Sequence, residues 1–306
     1  MKLSKKGKII IGIAILLIVA GIFVVAKVSS INNKVYQPIN NKQDEKKVKK
    51  KIRQNEPISI AIFGVDSNKE RESENIGERT DSIMLASINP KKKTTKLVSV
   101  PRDMAVNITG YSNHDKVAHA YAYGGSKTAV DTLKNEFNIP IDGYVTVDMD
   151  GFKKTIDALD GVTVKSNGTF KFNKGTFKKG ETIHLSGDEA LDFVRSRKEE
   201  GAGDDEGRQE RQRIVIEATG KKLKNHLNVS NFNALMNVAE DNVTTSFNLN
   251  DTRKLISDYK DATTHFEKIS IDGVNQVEND GIWYFEADDT AKQNIINAYN
   301  KNLENE

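Results

Sequence analysis

The first feature of the chain is a long apolar run between two polar stretches. From Ile9 to Ala26 the run contains no charged residue, and a helix of this length, rising about 1.5 Å per residue, nearly crosses the roughly 30 Å hydrocarbon layer of a membrane. Lysines precede the run, which favours an N-terminus on the cytoplasmic side. We therefore predict a cell-membrane protein with a cytoplasmic tail at residues 1–8, a single-pass transmembrane signal-anchor helix at 9–27 and an extracytoplasmic stalk at 28–57. A cleaved signal peptide is the alternative.

Beyond residue 57 the pattern changes to short apolar runs that alternate with amphipathic segments. Continuous runs rich in β-branched residues are typical of strands buried on both faces. They occupy residues 58–65, 82–88, 96–100, 144–147 and 162–164, with further strand-like runs at 265–271 and 282–287. Helical spacing of apolar positions occurs at 126–137, 150–159, 208–227, 230–240, 250–259 and 288–303, and in a helix opened by a capping box of Ser186 and Glu189. Interleaved strands and helices predict an extracytoplasmic α/β domain at 58–306, a three-layer α-β-α sandwich with a central mixed sheet.

Composition narrows the chemistry that such a domain can carry. The 306 residues have a net charge of only +3, from 46 basic and 43 acidic side chains, so overall charge favours no particular partner. The chain has no cysteine, which excludes thiol nucleophiles, disulfides and cysteine-based zinc sites. Its five histidines are scattered and lack a metal-binding spacing. Local clusters of charge are therefore the features that bear on function.

Charged residues stand at the ends of the predicted buried strands. Asp66 closes the first strand, Arg79 and Asp81 stand two apart before the second, and Arg102 and Asp103 follow the third. Ligands of α/β sheets bind outside the carboxyl ends of strands. Asp66 and Asp81 are therefore candidate ligands of a hard cation, Mg²⁺ or Mn²⁺, which prefers oxygen ligands and commonly joins carboxylates to phosphates. The alternative is that Asp66 caps a turn and Asp81 pairs with Arg79.

The segment 190–213 gathers arginines around a short acidic loop. Arg195 and Arg197 stand two apart where the chain leaves a predicted helix, so in an extended conformation both side chains point the same way. The next predicted helix begins near Arg208. It places three hydrogen-bond donors on one face, Arg208, Arg211 and Gln212. Arginine binds two phosphate oxygens at once, and a helix N-terminus adds free N–H groups, so the arrangement suits a pyrophosphate. The alternative is a solvated surface on which nearby carboxylates neutralise every arginine.

Seven ordered motifs give the chain a resemblance to a known family. In chain order they are GVDS (64–67), RTDSIML (79–85), SVPRD (99–103), KVAHAYAYGG (116–125), ALDGV (158–162), HLSGDEALDFVRSRK (184–198) and GRQERQ (207–212). Together they resemble the LytR-CpsA-Psr family, most of all its teichoic-acid-transferring members in low-GC Gram-positive bacteria, over about residues 58–225. Two departures stand out: Glu78 replaces an expected glycine, and Asp204 precedes Asp205 where the family commonly has one aspartate. The distance from Arg208 favours Asp205.

The resemblance implies an extracytoplasmic, membrane-anchored phosphotransferase. Such an enzyme takes an anionic glycopolymer, typically wall teichoic acid, from a polyprenyl-pyrophosphate carrier and joins it to a muramic acid hydroxyl of peptidoglycan through a phosphodiester. By the match, Asp66 and Asp81 would be the metal-associated carboxylates. The pyrophosphate would be held by Arg79, Arg102, Arg195, Arg197, Arg208 and Gln212, with Arg211 beside them. The catalytic set would be Arg79, Asp81, Arg102, Asp103 and Asp205, with the general base either Asp103 or an acidic residue of the Asp204–Asp205 loop.

Two other functions would use the same residues. A lipid pyrophosphatase would let water rather than a sugar hydroxyl attack, and a non-catalytic binder would hold wall polymer or polyprenyl pyrophosphate without turnover. A nucleic-acid partner is not expected, because only residues 1–8 are predicted to lie in the cytoplasm. The resemblance also implies an apolar groove for the polyprenyl tail, for which the sequence singles out no residues.

Overall fold

The structure, a computed structural model, describes residues 35–39, 41–66, 79–173, 175–226, 238, 242–263, 265–278 and 281–305. The predicted transmembrane helix at 9–27 lies outside these residues, as does all of the predicted helix at 230–240 except Val238. Within the described part of the chain, no helix is both long enough and apolar enough to cross a membrane.

The described elements alternate along the chain. The helices are α1 (Lys42–Arg53), α2 (Ala120–Phe137), α3 (Met149–Ala158), α4 (Gly187–Arg195), α5 (Asp204–His226), α6 (Leu249–Tyr259) and α7 (Asp289–Leu303). The strands are β1 (Ile58–Asp66), β2 (Arg79–Asn89), β3 (Thr94–Val100), β4 (Ala105–Asn107), β5 (His114–Lys116), β6 (Gly143–Asp148), β7 (Val162–Lys165), β8 (Phe170–Phe172), β9 (Gly175–Phe177), β10 (Thr182–Leu185), β11 (Val243–Thr245), β12 (His265–Ser270), β13 (Gly273–Val277) and β14 (Trp283–Ala287).

Six strands form a central sheet in the order β11-β6-β1-β2-β3-β12. β1 pairs in parallel with β6, and β3 with β12, whereas β1–β2, β2–β3 and β6–β11 are antiparallel. The prediction of a central mixed sheet is confirmed. This topology brings the ends of β1, β3 and β6 and the start of β2 to one edge, so it gathers charged strand ends that are far apart in the sequence.

Alternation along the strands divides the core between the two faces of the sheet. In β1, Phe63 and Val65 point into a cluster formed with α2 and α7, whereas Ile58 and Ile60 point into a cluster formed with α1 and α6. Helices therefore flank both faces, which confirms the mixed α/β class.

The segment predicted as a stalk contains α1. Asn41 caps this helix by accepting from the backbone amides of Gln43 and Asp44. Val48 and Ile52, one helical turn apart, pack on the sheet, while most other positions of the helix are charged. Two apolar residues are enough to dock the helix but too few to produce a periodic pattern in the sequence. The packed domain therefore begins ahead of residue 58.

A third apolar cluster lies beside the sheet and supports the arginine-rich segment. It is built by α3, α4 and α5 together with the two-stranded ribbons β7–β10 and β8–β9. The predicted capping box of Ser186 and Glu189 is present at the start of α4. α5 begins at Asp204, one turn before the predicted start near Arg208. The acidic residues of this first turn suit the positive end of the helix dipole and lengthen the helix.

Candidate anion-binding site

A β-bulge places Asp81 at the charged edge of the sheet. β1 and β2 pair regularly up to Gly64, which lies opposite Ser82, and the register then shifts between Gly64 and Val65. Val65 lies opposite Thr80, so Asp81 is the extra residue of the bulge. Bulges of this kind re-aim a side chain that would otherwise follow the regular alternation. Asp81 accordingly contributes to the wall of a pocket at this edge.

The segment after β3 adds a cation and a second carboxylate. Arg102 Nη1 lies 2.6 Å from Asp81 Oδ1, and Arg102 Nε lies 3.5 Å from Asp103 Oδ2. Asp103 Oδ1 lies 3.0 Å from Nζ of Lys116 on β5. The backbone is held as well, because Phe285 N donates to Asp103 O at 2.9 Å. Arg102 is therefore fixed between two carboxylates, one from β2 and one from its own neighbour.

The start of α5 and the loop before it bring two more arginines to the same place. Arg208 Nη2 lies 2.6 Å and Arg197 Nε 3.2 Å from Asp205 Oδ1, contacts that lack hydrogen-bond geometry. Gln209 Nε2 donates to Asp205 Oδ2 at 3.0 Å. The adjacent Asp204 is exposed and has a φ of 49°. Of the two aspartates, it is therefore Asp205 that holds the arginines.

An open pocket of about 330 Å³, counting space open to solvent, joins these groups. Ile83, Met84 and Val100 also border the pocket, but their side chains are buried in the core, those of Ile83 and Val100 on one face of the sheet and that of Met84 on the other. The full lining is Asp81, Ser82, Ile83, Met84, Ser99, Val100, Pro101, Arg102, Asp205, Arg208, Gln209 and Gln212. Two walls, one from the sheet edge and one from α5, thus face each other across the pocket.

Three arginines, Arg102, Arg197 and Arg208, are crowded together at this pocket and are paired with three carboxylates, Asp81, Asp103 and Asp205. Burial lowers the pKa of Arg208, Asp205 opposes this effect, and the nearby guanidinium groups of Arg102 and Arg197 lower the pKa further. Burial also acts to lower the pKa of Arg102, but the surrounding carboxylates, led by Asp81, outweigh it and the pKa is raised. Among the described residues, Asp205 is the only ion-pair partner of Arg208, and Arg208 Nε has no hydrogen-bond partner. A buried guanidinium with unused donors favours the binding of a further anion.

Arg211 is placed differently from the other arginines of its segment. It is fully buried, and its Nη1 donates to Ala202 O at 2.7 Å and its Nη2 to Ser196 O at 2.5 Å. Its guanidinium carbon also lies 4.6 Å from the centre of the Phe170 ring. Burial lowers the pKa of Arg211 to about 10, so the group stays charged at neutral pH. The structure therefore does not bring Arg211 to the pocket, and instead uses it to tie the loop that carries Arg197 to α5.

Gly207 allows the same loop to pack closely on α5. A Cβ at this position would lie 2.1 Å from Ala202 O and 3.2 Å from Arg211 Nη1. Any larger residue would therefore push the loop away from the helix. In the GRQERQ motif, the glycine thus sets the packing of the loop and the arginine that follows it faces the pocket.

The other predicted residues are distributed around the edge of the sheet. Arg195 is exposed in the last turn of α4. Arg195, Arg197 and Asp103 are all outside the pocket lining, but Arg197 and Asp103 contact the lining residues Asp205 and Arg102. Asp66 and Arg79 are Cα partners at the paired ends of β1 and β2, and only their backbone is described. Sequence reasoning missed Lys116, which pairs with Asp103, and Gln209, which binds Asp205. Both belong to motifs that resemble the family, and this was the only signal for them in the sequence.

The position of Asp81 is compatible with the predicted hard divalent cation at the strand ends, and the side chain of Asp66 lies outside the described part of the structure. Asp81 is a carboxylate with a side chain 37% exposed, and its bulge sets it beside the end of β1, where Asp66 lies. A donor set of two carboxylates suits Mg²⁺ or Mn²⁺, which prefer oxygen ligands.

The fold and the pocket define an α/β protein with an arginine-rich candidate site for an anion. The sequence profile of the LytR_cpsA_psr family matches residues 22–301, and the chain belongs to this family. The resemblance seen in the sequence motifs is thereby confirmed.

Similar proteins carry more specific names. The polyisoprenyl-teichoic acid–peptidoglycan teichoic acid transferase TagU of Bacillus anthracis is 37% identical over 295 residues, which is 95% of each chain. The crystal structure of B. subtilis TagU is 33% identical with a TM-score of 0.64, and the match covers 82% of this chain and 98% of that one. A solved structure of TagT bound to LI-WTA is 28% identical with a TM-score of 0.65, covering 82% and 92% of the two chains.

Proposed function

We propose that this protein transfers an anionic glycopolymer, wall teichoic acid, from a polyprenyl-pyrophosphate carrier to a muramic acid hydroxyl of peptidoglycan. The observation that carries the proposal is the crowding of Arg102, Arg197 and Arg208 at one pocket, where Arg208 is buried and incompletely paired. The choice of wall teichoic acid as the polymer is supported by family membership and by two similar proteins. TagU is named a teichoic acid transferase, and TagT is seen bound to LI-WTA.

The donor pyrophosphate would lie between the two walls of the pocket. Arg102 reaches it from the sheet edge, and Arg197 and Arg208 reach it from the α5 side. Guanidinium forks bind phosphate oxygens in pairs, so three of them suit the four non-bridging oxygens of a pyrophosphate diester. In the free protein, Asp81 and Asp205 hold these arginines in place. The site is thus arranged before the donor arrives, which reduces the entropy lost on binding.

The carrier part of the donor is a polyprenyl lipid. A carrier of this kind resides in a membrane, which agrees with the apolar run predicted to span the membrane at residues 9–27. The globular domain would then act outside the cell, close to the membrane surface.

Transfer requires one bond to form and one to break. The acceptor hydroxyl oxygen attacks the phosphorus that carries the glycopolymer, and the bond from that phosphorus to the bridging oxygen breaks. Polyprenyl phosphate leaves with the bridging oxygen and the electron pair. Arginines on both walls neutralise the charge that develops on the phosphoryl oxygens, which is the main protein contribution to phosphoryl transfer.

We propose that Asp103 is the general base that takes the proton of the acceptor hydroxyl. Both carboxylate oxygens of Asp205 are engaged, one by two arginines and the other by Gln209. Asp103 is less tightly held, because its Oδ2 has only a 3.5 Å contact with Arg102 Nε while its Oδ1 contacts Lys116. A general base needs a lone pair within reach of the reacting hydroxyl, and Oδ2 of Asp103, which contacts the pocket residue Arg102 at 3.5 Å, is the less engaged oxygen of this carboxylate.

Mg²⁺ or Mn²⁺ held by Asp66 and Asp81 is part of this proposal. When bound, such a cation neutralises phosphate charge and orients the transferring group. Asp81 would then bind the cation and also pair with Arg102, so it would lie between the metal and the arginines.

The proposal is tested by a transfer assay with the full-length protein in detergent. A short-chain polyprenyl-pyrophosphate glycopolymer, peptidoglycan oligomers and MgCl₂ are supplied, and products are identified by mass spectrometry. We expect a phosphodiester-linked product together with polyprenyl phosphate. Asp103→Asn should lower the rate by about 100-fold or more while the donor KM changes little, as for loss of a general base. Asp188→Asn, an exposed carboxylate at the start of α4, is the matched control.

Each alternative function gives a distinct result in the same assay. If free phosphorylated glycopolymer forms even when peptidoglycan is present, the protein is a lipid pyrophosphatase and not a transferase. Saturable donor binding without turnover would indicate a non-catalytic binder. Either result would overturn the proposed transfer.

A further inference from the structure

Two β-hairpins beside the pocket meet at a second group of ionisable side chains. β4 and β5 form one hairpin, and β13 and β14 form the other. They are joined by a bridge between Met104 and Phe285, and the His114 ring lies 5.6 Å from the Tyr284 ring. The hairpins belong to parts of the chain more than a hundred residues apart, so their meeting is invisible in the sequence.

Three potential metal ligands converge where the hairpins meet. They are His114 on β5, Glu278 just after β13 and Glu286 on β14, and their ligand atoms all lie within 4.8 Å of one another. His114 Nε2 lies 3.1 Å from Glu278 Oε1. Two carboxylates this close to each other repel unless a proton or a cation lies between them.

We propose that His114, Glu278 and Glu286 form a binding site for a first-row divalent cation such as Zn²⁺. One imidazole and two carboxylates are an established donor set for this class of ion, with water completing the coordination. In a tetrahedral site with donors about 2.1 Å from the metal, the donors lie about 3.4 Å from one another. The contact between His114 and Glu278 already has this spacing. The remaining donors lie at most 4.8 Å apart, so they need to approach by no more than about 1.4 Å, which rotation of the partly exposed side chains provides.

The cation would connect this site to the pocket. His114 and Lys116 lie two residues apart on β5, and Lys116 Nζ contacts Asp103. On the other hairpin, Phe285 precedes Glu286 and its amide binds Asp103 O. A cation that joins the hairpins would therefore fix the position of the Lys116 ammonium and of the Phe285 amide, the two groups that hold Asp103. Metal binding itself does not depend on the proposed transferase function, whereas the effect on Asp103 does.

The test is a ZnCl₂ titration of the full-length protein, first stripped with a chelator, followed by calorimetry. We expect one saturable site whose affinity falls at least 10-fold in His114→Ala and in Glu286→Gln. Glu286→Gln keeps the size of the side chain, so it remains informative if His114→Ala folds poorly. His184→Ala and Glu181→Gln, at exposed positions elsewhere, are matched controls and should bind like the native protein.

A further variant separates this site from the strand-end carboxylates. Asp81→Ala should leave the zinc titration unchanged, since Asp81 lies in the pocket and not between the hairpins. Absence of stoichiometric binding in the native protein would overturn the proposal. So would an affinity that stays the same in both His114→Ala and Glu286→Gln. Neither result would bear on the transfer assay, so the two proposals fail separately.

Discussion

Two buried arginines on α5, only three residues apart, have opposite surroundings. Arg211 donates through both Nη atoms to neutral oxygens and stacks on Phe170. Arg208 contacts Asp205 and is crowded by two further guanidinium groups. In both, burial lowers the pKa, and in both Nε lacks a hydrogen-bond partner among the described residues. The difference lies in what the Nη atoms meet.

This difference separates a structural charge from one available to a ligand. Neutral carbonyl acceptors in fixed loops satisfy Arg211 within the protein, so its charge stabilises the loop. Arg208 shares its carboxylate with Arg197, and its Nε has no hydrogen-bond partner among the described residues, which leaves a donor for an external anion. Burial alone therefore does not identify a functional arginine, and the identity of its partners does.

The largest effect is expected for Arg208→Ala. Loss of one donor to a developing phosphoryl charge should lower the transfer rate by about 100- to 1,000-fold. Because removal also relieves the crowding of like charges, the free energy of unfolding should fall less than in Arg211→Met. The rate is measured in the transfer assay and stability by urea unfolding. Arg53→Ala, an exposed arginine on α1, is the control; equal rates in the two variants would contradict the role of Arg208.

Arg211→Met should reverse this pattern. Methionine fills much of the space but leaves the carbonyls of Ser196 and Ala202 without their donor, which should lower the free energy of unfolding by about 3 kcal/mol. Transfer measured well below the unfolding temperature should fall less than in Arg208→Ala. Urea unfolding checks the first effect, with Arg53→Met as control. A stable Arg211→Met variant with no activity would place Arg211 in the site after all.

Gly207→Ala tests whether the packing of the loop on α5 positions the arginines of the site. The new Cβ would meet Ala202 O, and the resulting shift of the loop should destabilise the protein by about 1–3 kcal/mol. Transfer should fall by roughly 10-fold, because the loop also carries Arg197. Glu206→Ala, an exposed neighbour in the first turn of α5, should change neither stability nor rate appreciably. If Gly207→Ala matched that control, the loop packing would not position the arginines.

A half-buried carboxylate at the same edge, Asp148, gives the smallest expected effect. Asp148 caps α3 by accepting from Gly151 N at 2.6 Å. Burial raises its pKa to about 6. Because the folded-state pKa lies above the ordinary value, Asp148 stabilises the fold most at low pH, and this contribution is lost as the pH rises from about 4 to 6.

Asp148→Asn tests this dependence, since asparagine caps a helix without ionising. The variant should gain stability relative to the native protein between pH 4 and pH 7.5, by at most about 2 kcal/mol. Urea unfolding at the two pH values measures the difference, and Asp188→Asn at an exposed position is the control. A difference that is independent of pH would show that Asp148 titrates normally.

Local elements of the fold were predictable because they depend on local pattern. The continuous apolar runs became β1, β2, β3 and β6, and the capping box became the start of α4. The order of strands was not predictable, since it depends on contacts between distant segments. The bulge at Asp81 was hidden for the same reason, because a bulge is a mismatch between two strands and neither strand shows it alone.

The sequence predicted which types of residue form the candidate site, but it predicted less well which individual residues belong to it. Arg208 and Arg211 stand at i and i+3, a spacing expected to share a face. The rotation between such positions is about 300°, so their directions differ by about 60°. That angle is enough to turn Arg208 toward the sheet edge and Arg211 into the apolar cluster beside it. Arg195 was included by its spacing from Arg197, but the end of α4 leaves it exposed.

The most direct test of the central claim is equilibrium binding of a short-chain prenyl pyrophosphate to the full-length protein. Native protein and the Arg53→Lys control should bind it with equal affinity. Arg208→Lys keeps the charge but loses the planar fork, so its affinity should be at least 10-fold weaker. If Arg208→Lys binds the lipid pyrophosphate as tightly as the native protein, the pocket between the sheet edge and α5 is not the pyrophosphate site.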